Sequence, residues 1–200
     1  MEIDLGDELV VSRPGDEMKF GNITADAFRD DPLNNWMFED FAGISALFHW
    51  QAKHIYVPRG YCYRAGDDGA CMWMMPDGDH SVTKLAELKL AFSIIMNSSF
   101  AAMKRAWKVG EEMARAHPRF THAYLFSIGV RPMAQGKGLG RKLIQPVLDA
   151  CDRDGIPAYL ENSNAANTGF YNSCGFEQTG FIKIDPDAPP LVPMLRKPRS

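Results

Sequence analysis

The chain has 200 residues, 46% hydrophobic and 24% charged, a balance that suits an ordinary soluble globular protein of one domain. That is enough apolar side chain for a core without disulfides or metals. A formal charge of −3 and a pI near 5.9 argue against a nucleic-acid partner, which a basic excess would mark.

Cys62, Cys71, Cys151 and Cys174 form no close pair, and with five scattered histidines they give no metal-ligand spacing. The thiols therefore read as structural, no metal is expected, and the implied setting is reduced and cytoplasmic. Met1-Glu2-Ile3-Asp4 puts no positive leader before an apolar stretch, so no signal peptide is expected. The longest apolar stretch without charge, Leu90–Met103, is too short to span a bilayer and is interrupted by Asn97-Ser98-Ser99. No membrane partner is expected.

In chain order, Leu9–Ser12 reads as a short strand ended by Arg13-Pro14-Gly15. Asp16–Phe28 is helical, and Asp30-Asp31-Pro32 stops it. Asn34–Tyr56 carries Trp36, Met37, Phe41, Ile44, Leu47, Phe48 and Ile55, which predicts one buried helix closed by Pro58-Arg59-Gly60. Tyr61–Arg64 and Ala70–Met74 flank Gly66-Asp67-Asp68-Gly69, a hairpin signal. Pro76–Ser81 is a loop. From Val82 to Ala116 apolar and small residues recur at alternating three-and-four spacing. They predict one amphipathic helix, or two broken at Asn97-Ser98-Ser99 with a serine as N-cap. Ala123–Val130 is a strand, Gly138–Asp152 a helix and Ala158–Glu161 a strand. Ala165–Cys174 is a helix, Phe176–Lys183 a strand and Leu191–Leu195 a final short strand. This alternation is an α/β pattern with no linker dividing it.

Gln135-Gly136-Lys137-Gly138-Leu139-Gly140-Arg141 lies between a strand and a helix. Glycines let backbone approach a diphosphate, amide N–H groups point inward, and the helix N-terminus supplies positive potential. Lys137 and Arg141 add cationic charge; a plain turn is the bland alternative. An ATP-binding P-loop fails, because Gly136-Lys137 is followed by Gly138 and not by a hydroxyl residue for magnesium. A dinucleotide fold gains some support from Glu161. However, Arg131–Gln135 separates strand from first glycine, and the glycines fall at 136, 138 and 140.

A further set of residues fits together. Gly129-Val130, Gln135-x-x-Gly138-x-Gly140, Leu160-Glu161 and Phe170-Tyr171-Asn172-Ser173-Cys174-Gly175-Phe176 follow one another in order. Over Ala123–Phe176 this resembles the acetyl-CoA motif of the GNAT superfamily of N-acetyltransferases. The pattern looks closest to puromycin N-acetyltransferase and its bacterial and fungal relatives, and Ala27–Leu33 is similar to a stretch common in that group. Between about residues 53 and 117 the resemblance is loose.

The resemblance implies a single GNAT domain over residues 1–200. Its α/β (α+β) fold would be a mixed, mostly antiparallel sheet of six or seven strands flanked by helices. Acceptor-side helices would fill about 14–117, and the coenzyme-binding core about 121–183. The Ala123–Val130 and Ala158–Glu161 strands would splay into a V that admits the pantetheine arm of acetyl-CoA. Backbone groups of Ile128, Gly129 and Val130 would hold the arm, and Gln135, Gly136, Lys137, Gly138, Leu139, Gly140 and Arg141 the pyrophosphate. Asn167 matches a coenzyme-contacting asparagine; Asn164 reads better as a helix cap.

The implied reaction is attack of a neutral primary amine on the thioester carbonyl. A backbone N–H at the end of the Ala123–Val130 strand would support the oxyanion. Tyr171 matches the family tyrosine near the coenzyme sulfur and is the candidate acid; a core tyrosine is its alternative. Glu161 is the candidate base, directly or through water, against a local pairing role. Trp36, Phe38, Glu39 and Asp40 are candidates for the acceptor pocket, with core packing the alternative. Cys174 has no histidine near it in sequence, which argues against an acyl-cysteine route. The resemblance leaves a homodimer open. An acyl-CoA sensor without turnover is the second class, and Tyr171 favours the enzyme.

Overall fold

The computed structural model describes residues 1–78 and 83–199. The expected loop beyond residue 78 and the helix start at Val82 lie outside the described residues. β1 (Val10–Val11) leads to α1 (Glu17–Ala27), which turns Phe20, Ile23 and Ala25 into the core. α2 (Pro32–Met37) starts at once: proline suits the first helical position, and the Asp31 carboxylate accepts from Asn34 N–H at 2.9 Å.

The single helix expected over Asn34–Tyr56 is broken. Phe38 is extended, and Asp40 caps a new helix, α3 (Phe41–Gln51), by accepting from Gly43 N–H at 3.1 Å. A side chain that hydrogen-bonds the local backbone competes with helix continuation. Gly43 permits the break, because a Cβ there would sit 2.7 Å from the Phe38 ring. α3 then loosens into a π-helical turn, Ala52–Tyr56, and ends in the short α4 (Val57–Arg59).

β2 (Tyr61–Ala65) and β3 (Gly69–Met74) form the expected hairpin. The amphipathic stretch is two helices, α5 (Lys84–Asn97) and α6 (Phe100–Ala116). Ser99 caps the second by accepting from Ala102 N–H at 3.0 Å. β4 (Ala123–Val130), a 3₁₀ turn at Pro132–Ala134, α7 (Leu139–Asp154) and β5 (Ala158–Asn162) follow. The next helix begins as a 3₁₀ turn (Ala165–Asn167) before α8 (Thr168–Ser173). The strand expected over Phe176–Lys183 shrinks to β6 (Glu177–Gln178) and a lone bridge from Ile182 to Leu191. β7 (Val192–Arg196) closes the sheet.

The described residues form a seven-stranded sheet in the order β1-β2-β3-β4-β5-β7-β6, antiparallel except between β4 and β5. Both faces of β3 are buried, and its alternation sorts the core. Ala70, Met72 and Met74 join the core on the side of α1 and the π-helical turn, whereas Cys71 and Trp73 join it on the side of α7. α7 answers with Leu143, Ile144, Val147, Leu148 and Cys151, one apolar stripe at helical spacing.

Candidate active site

β4 and β5 pair only at Ala123 with Ala158 and Tyr124 with Tyr159, and beyond that point they part. The expected V is present. On its other side β4 carries a bulge: Met72 opposes Ser127 and Trp73 opposes Leu125, which leaves Phe126 unmatched. A bulge re-aims the side chains around it, and Phe126, Ser127 and Ile128 all line the opening.

A cleft of about 680 Å³ opens on one side of the V. Ile128, Gly129, Val130, Gln135, Gly136, Gly138, Leu139, Gly140, Arg141, Asn167 and Tyr171 line it. Lys137 does not: its ammonium folds back onto the Met133 carbonyl at 3.3 Å. The loop is held by Gln135, which donates to the Val130 carbonyl at 3.0 Å, and by Arg141, which donates to Ser173 O and Oγ at 3.1 and 2.6 Å.

Gly136 and Gly138 have φ of +76° and +77°, a region L side chains rarely enter, and both face open space. Gly138 also caps α7, whose first-turn N–H groups have no intrahelical acceptors. A cradle of backbone donors at a helix N-terminus fits a diphosphate. Gly129 serves the mouth differently. A Cβ there would lie 2.6 Å from Ala27 Cβ, so its absence lets α1 close onto β4 and sets Phe28 at the rim.

A second cavity, about 290 Å³, lies on the other side of the V and shares Phe28, Ile128, Asn167 and Tyr171 with the first. The Glu161 side chain is 1% exposed, lines this cavity and not the larger cleft, and faces His117 Nδ1 at 3.6 Å. Neither of its oxygens accepts a well-formed hydrogen bond among the described residues. The phenols of Tyr56, Tyr124 and Tyr159 surround it, and burial together with the carboxylate holds their pKa values up. Behind His117, the two imidazoles meet Nε2 to Nε2 at 3.1 Å, and His122 Nδ1 donates to the Phe120 carbonyl at 2.7 Å. That carbonyl assigns the His122 tautomer. His122 Nε2 then accepts from His117 Nε2–H, and His117 Nδ1 is turned toward Glu161.

Tyr171 stands where the two cavities meet. Burial, then Cys174 and Asp31, push its phenol well above the ordinary value. Asn164 is the expected cap, accepting from Ala166 N–H at 3.0 Å, while Asn167 lines both cavities. Cys174 is buried, its thiol is raised by burial, and it lines neither cavity. The acceptor-pocket expectation is corrected. Phe38 is core, Asp40 is a cap, Glu39 is exposed beside Arg105, Trp36 packs on the core, and none of the four lines the cavity. Their neighbours Leu33, Asn34 and Met37 do.

Ser127, Gln51, Tyr56, His117 and His122 were not singled out from sequence. Ser127 had a signal, a lone hydroxyl inside an apolar strand. The others had none: the π-helical turn places Gln51 and Tyr56, and only the fold brings His117 beside Glu161. Among the described residues no group of three or more His, Cys, Asp or Glu could hold a metal ion, and no helix is long and apolar enough to cross a membrane.

A splayed β4/β5 pair, a glycine cradle opening a helix and a second cavity meeting the first at a tyrosine define an acetyltransferase. The family model described as "Acetyltransferase (GNAT) family" matches residues 26–176, and the chain belongs to that family. An uncharacterized N-acetyltransferase of Schizosaccharomyces pombe is 27% identical over 92% of this chain and 81% of its own length. Among solved structures, a histone acetyltransferase HPA2 and related acetyltransferase from Corynebacterium glutamicum superposes with TM-score 0.70 at 23% identity, covering 96% of both chains. The PaiA N-acetyltransferase of Thermoplasma acidophilum, in complex with coenzyme A, superposes with TM-score 0.54 at 10% identity, covering 96% of this chain and 99% of that one.

Proposed function

We propose that the protein transfers an acetyl group from acetyl-CoA to a primary amine by direct attack, with the coenzyme in the larger cleft and the amine in the smaller cavity. The observation that carries this is the meeting of the two cavities at Tyr171, with Glu161 lining only the smaller one. Acetyl-CoA supplies the activated acyl group. The amides of Gly136 to Arg141 at the α7 N-terminus hold its pyrophosphate, and the edge of β4 freed by the splay holds the arm. A structural neighbour of the same fold, from Thermoplasma, is a coenzyme A complex, which supports coenzyme A as the ligand.

Glu161 accepts the amine's proton, which leaves a lone pair for attack. The proton has a way out through His117 and His122. A backbone N–H near the end of β4 supports the oxyanion. The raised pKa of Tyr171 keeps its phenol protonated, so it is a hydrogen-bond donor toward the departing sulfur and gives up its proton as negative charge builds there. The same desolvation raises the thiol's pKa, which narrows the mismatch. Resemblance to puromycin N-acetyltransferase-like members supports a small-molecule acceptor over a protein one.

The test is coenzyme A thiol release from acetyl-CoA over a panel of primary amines, followed by single-turnover transfer with Tyr171→Phe. The variant should slow the chemical step by about 10²–10⁴-fold, and acetyl-CoA affinity should change about tenfold or less. Single turnover keeps slow product release from hiding the defect. A variant that transfers at the wild-type rate removes Tyr171 from the mechanism, and no thiol release with any amine removes the function.

A further inference from the structure

The smaller cavity describes its own ligand. Four buried side-chain atoms on its wall have no well-formed hydrogen bond among the described residues: both oxygens of Glu161, which the Tyr124 and Tyr159 phenols approach, Oε1 of Gln51 and Oγ of Ser127. Three of the four can only accept, and the serine hydroxyl can also accept. Buried acceptors left empty are costly, so a site with several of them is shaped for a donor. No lysine, arginine or histidine lines the cavity among the described residues. His117 stands behind Glu161, outside the lining, where it can take up a proton but cannot meet a ligand's anion.

The rest of the wall is mostly apolar, with Asn34, Asn162, Ser163 and Asn167 as further polar groups, and part of it is a cluster of aromatic rings. Phe28 and Phe48 lie 5.0 Å apart, Phe48 and Phe126 6.3 Å, and Tyr56 stacks on Phe126 at 4.3 Å between centroids. The volume, about 290 Å³, is at the small end for ligand sites.

We propose that the acceptor is a small arylalkylamine-like monoamine: one ammonium or amine group held by Glu161, Gln51 and Ser127, an apolar ring against the phenylalanines, and no carboxylate. This rests on reading the cavity as the acceptor side of the transfer site. Three neighbouring classes are disfavoured for stated reasons. An α-amino acid would bring its carboxylate beside Glu161 with no cation to receive it. A polyamine would bury a second charge with no second carboxylate on the lining. A folded peptide or a multi-ring antibiotic would leave most of its surface outside a cavity of this volume.

The decisive pair is 2-phenylethylamine and L-phenylalanine, identical except for the carboxylate, with spermidine and a lysine-containing peptide as further arms. In thiol release with acetyl-CoA, kcat/KM for 2-phenylethylamine should exceed that for L-phenylalanine by about 100-fold or more. Equal or better turnover of L-phenylalanine, spermidine or the peptide overturns the class while leaving acetyl transfer intact. Calorimetric titration of 2-phenylethylamine into the full chain, without acetyl-CoA, gives an arm independent of turnover. Glu161→Gln keeps the shape, and binding should weaken about 10–100-fold, the range for hydrogen bonds to a charged group. Unchanged binding, or no binding to wild type, overturns the pocket assignment. Glu161-dependent binding without any thiol release upholds the pocket and defeats the acetyl-transfer reading instead.

Discussion

At Tyr171 burial holds the phenolic proton in place, and at His122 it does the opposite, disfavouring the charged ring. The His122 pKa is lowered from 6.5 by burial first and by His117 second, with the Phe120 carbonyl and Glu161 pulling it back up. The sign for stability follows. As pH falls below about 6.5, the unfolded chain takes a proton that folded His122 refuses, so the native state loses stability between 6.5 and the lower folded pKa. His122→Leu should therefore lose less stability than wild type when denaturant unfolding is compared at pH 7 and pH 5. A difference between the two proteins that stays constant over that range would mean His122 titrates as it does in the open chain. Tyr171 and Glu161 were legible as ordered family residues. The two histidines were not, because five positions across a Pro118 turn carry no signal until the fold turns their rings together.

The α7 start and the β4 bulge are the two elements that shape the site. Gly138 holds φ +77° and caps α7, so Gly138→Val brings both strain at a left-handed position and a branched group facing the cradle. Acetyl-CoA affinity by calorimetry should fall about 100-fold or more, since several backbone donors lose their alignment together. Far-ultraviolet circular dichroism should stay close to wild type, because the change is local to the helix cap. Unchanged affinity with a normal spectrum would place the phosphates elsewhere. Gln135, Gly136, Gly138 and Gly140 could be read directly, because glycine spacing is a statement about backbone. The break at Phe38–Asp40 could not, since apolar periodicity runs through it. What decided was a local contest: Asp40 caps Gly43, and the Phe38 ring fills the space above it.

Across the whole molecule, a single buried side chain ties the last strand to the coenzyme half. Arg196 is 1% exposed and makes a bidentate pair with Asp152 of α7, both bonds at 2.6 Å, while its Nε donates to the Cys174 carbonyl at 2.9 Å. The pair holds the Asp152 carboxyl below its ordinary range. Arg196→Ala leaves that carbonyl without its donor and the carboxylate with the Arg199 N–H, at 2.7 Å, in place of three. It should cost about 3 kcal/mol, the low end for a broken buried pair, because the Asp152 side chain keeps 22% exposure. The melting temperature should drop by roughly 6–12 °C; a drop of less than about 2 °C would mean that water replaces the guanidinium without cost.

Sequence by itself determined the elements from Ala123 to Phe176 and the family they belong to, because strand alternation, glycine spacing and caps are local and keep their meaning out of context. It also determined the hairpin around Gly66–Gly69, and it offered the break at Asn97-Ser98-Ser99 as one of two readings, between which the structure chose. Only the tertiary structure decided which side chains line the smaller cavity. The cavity wall is drawn from Phe28 beyond α1 and from α2, α3, the π-helical turn, α6, β4, β5 and α8, and the polar groups it leaves without well-formed hydrogen bonds come from positions as far apart as Gln51, Ser127 and Glu161. Partners that distant are joined by packing, through the β4 bulge and the parting of β4 from β5, and no spacing along the chain encodes that distance.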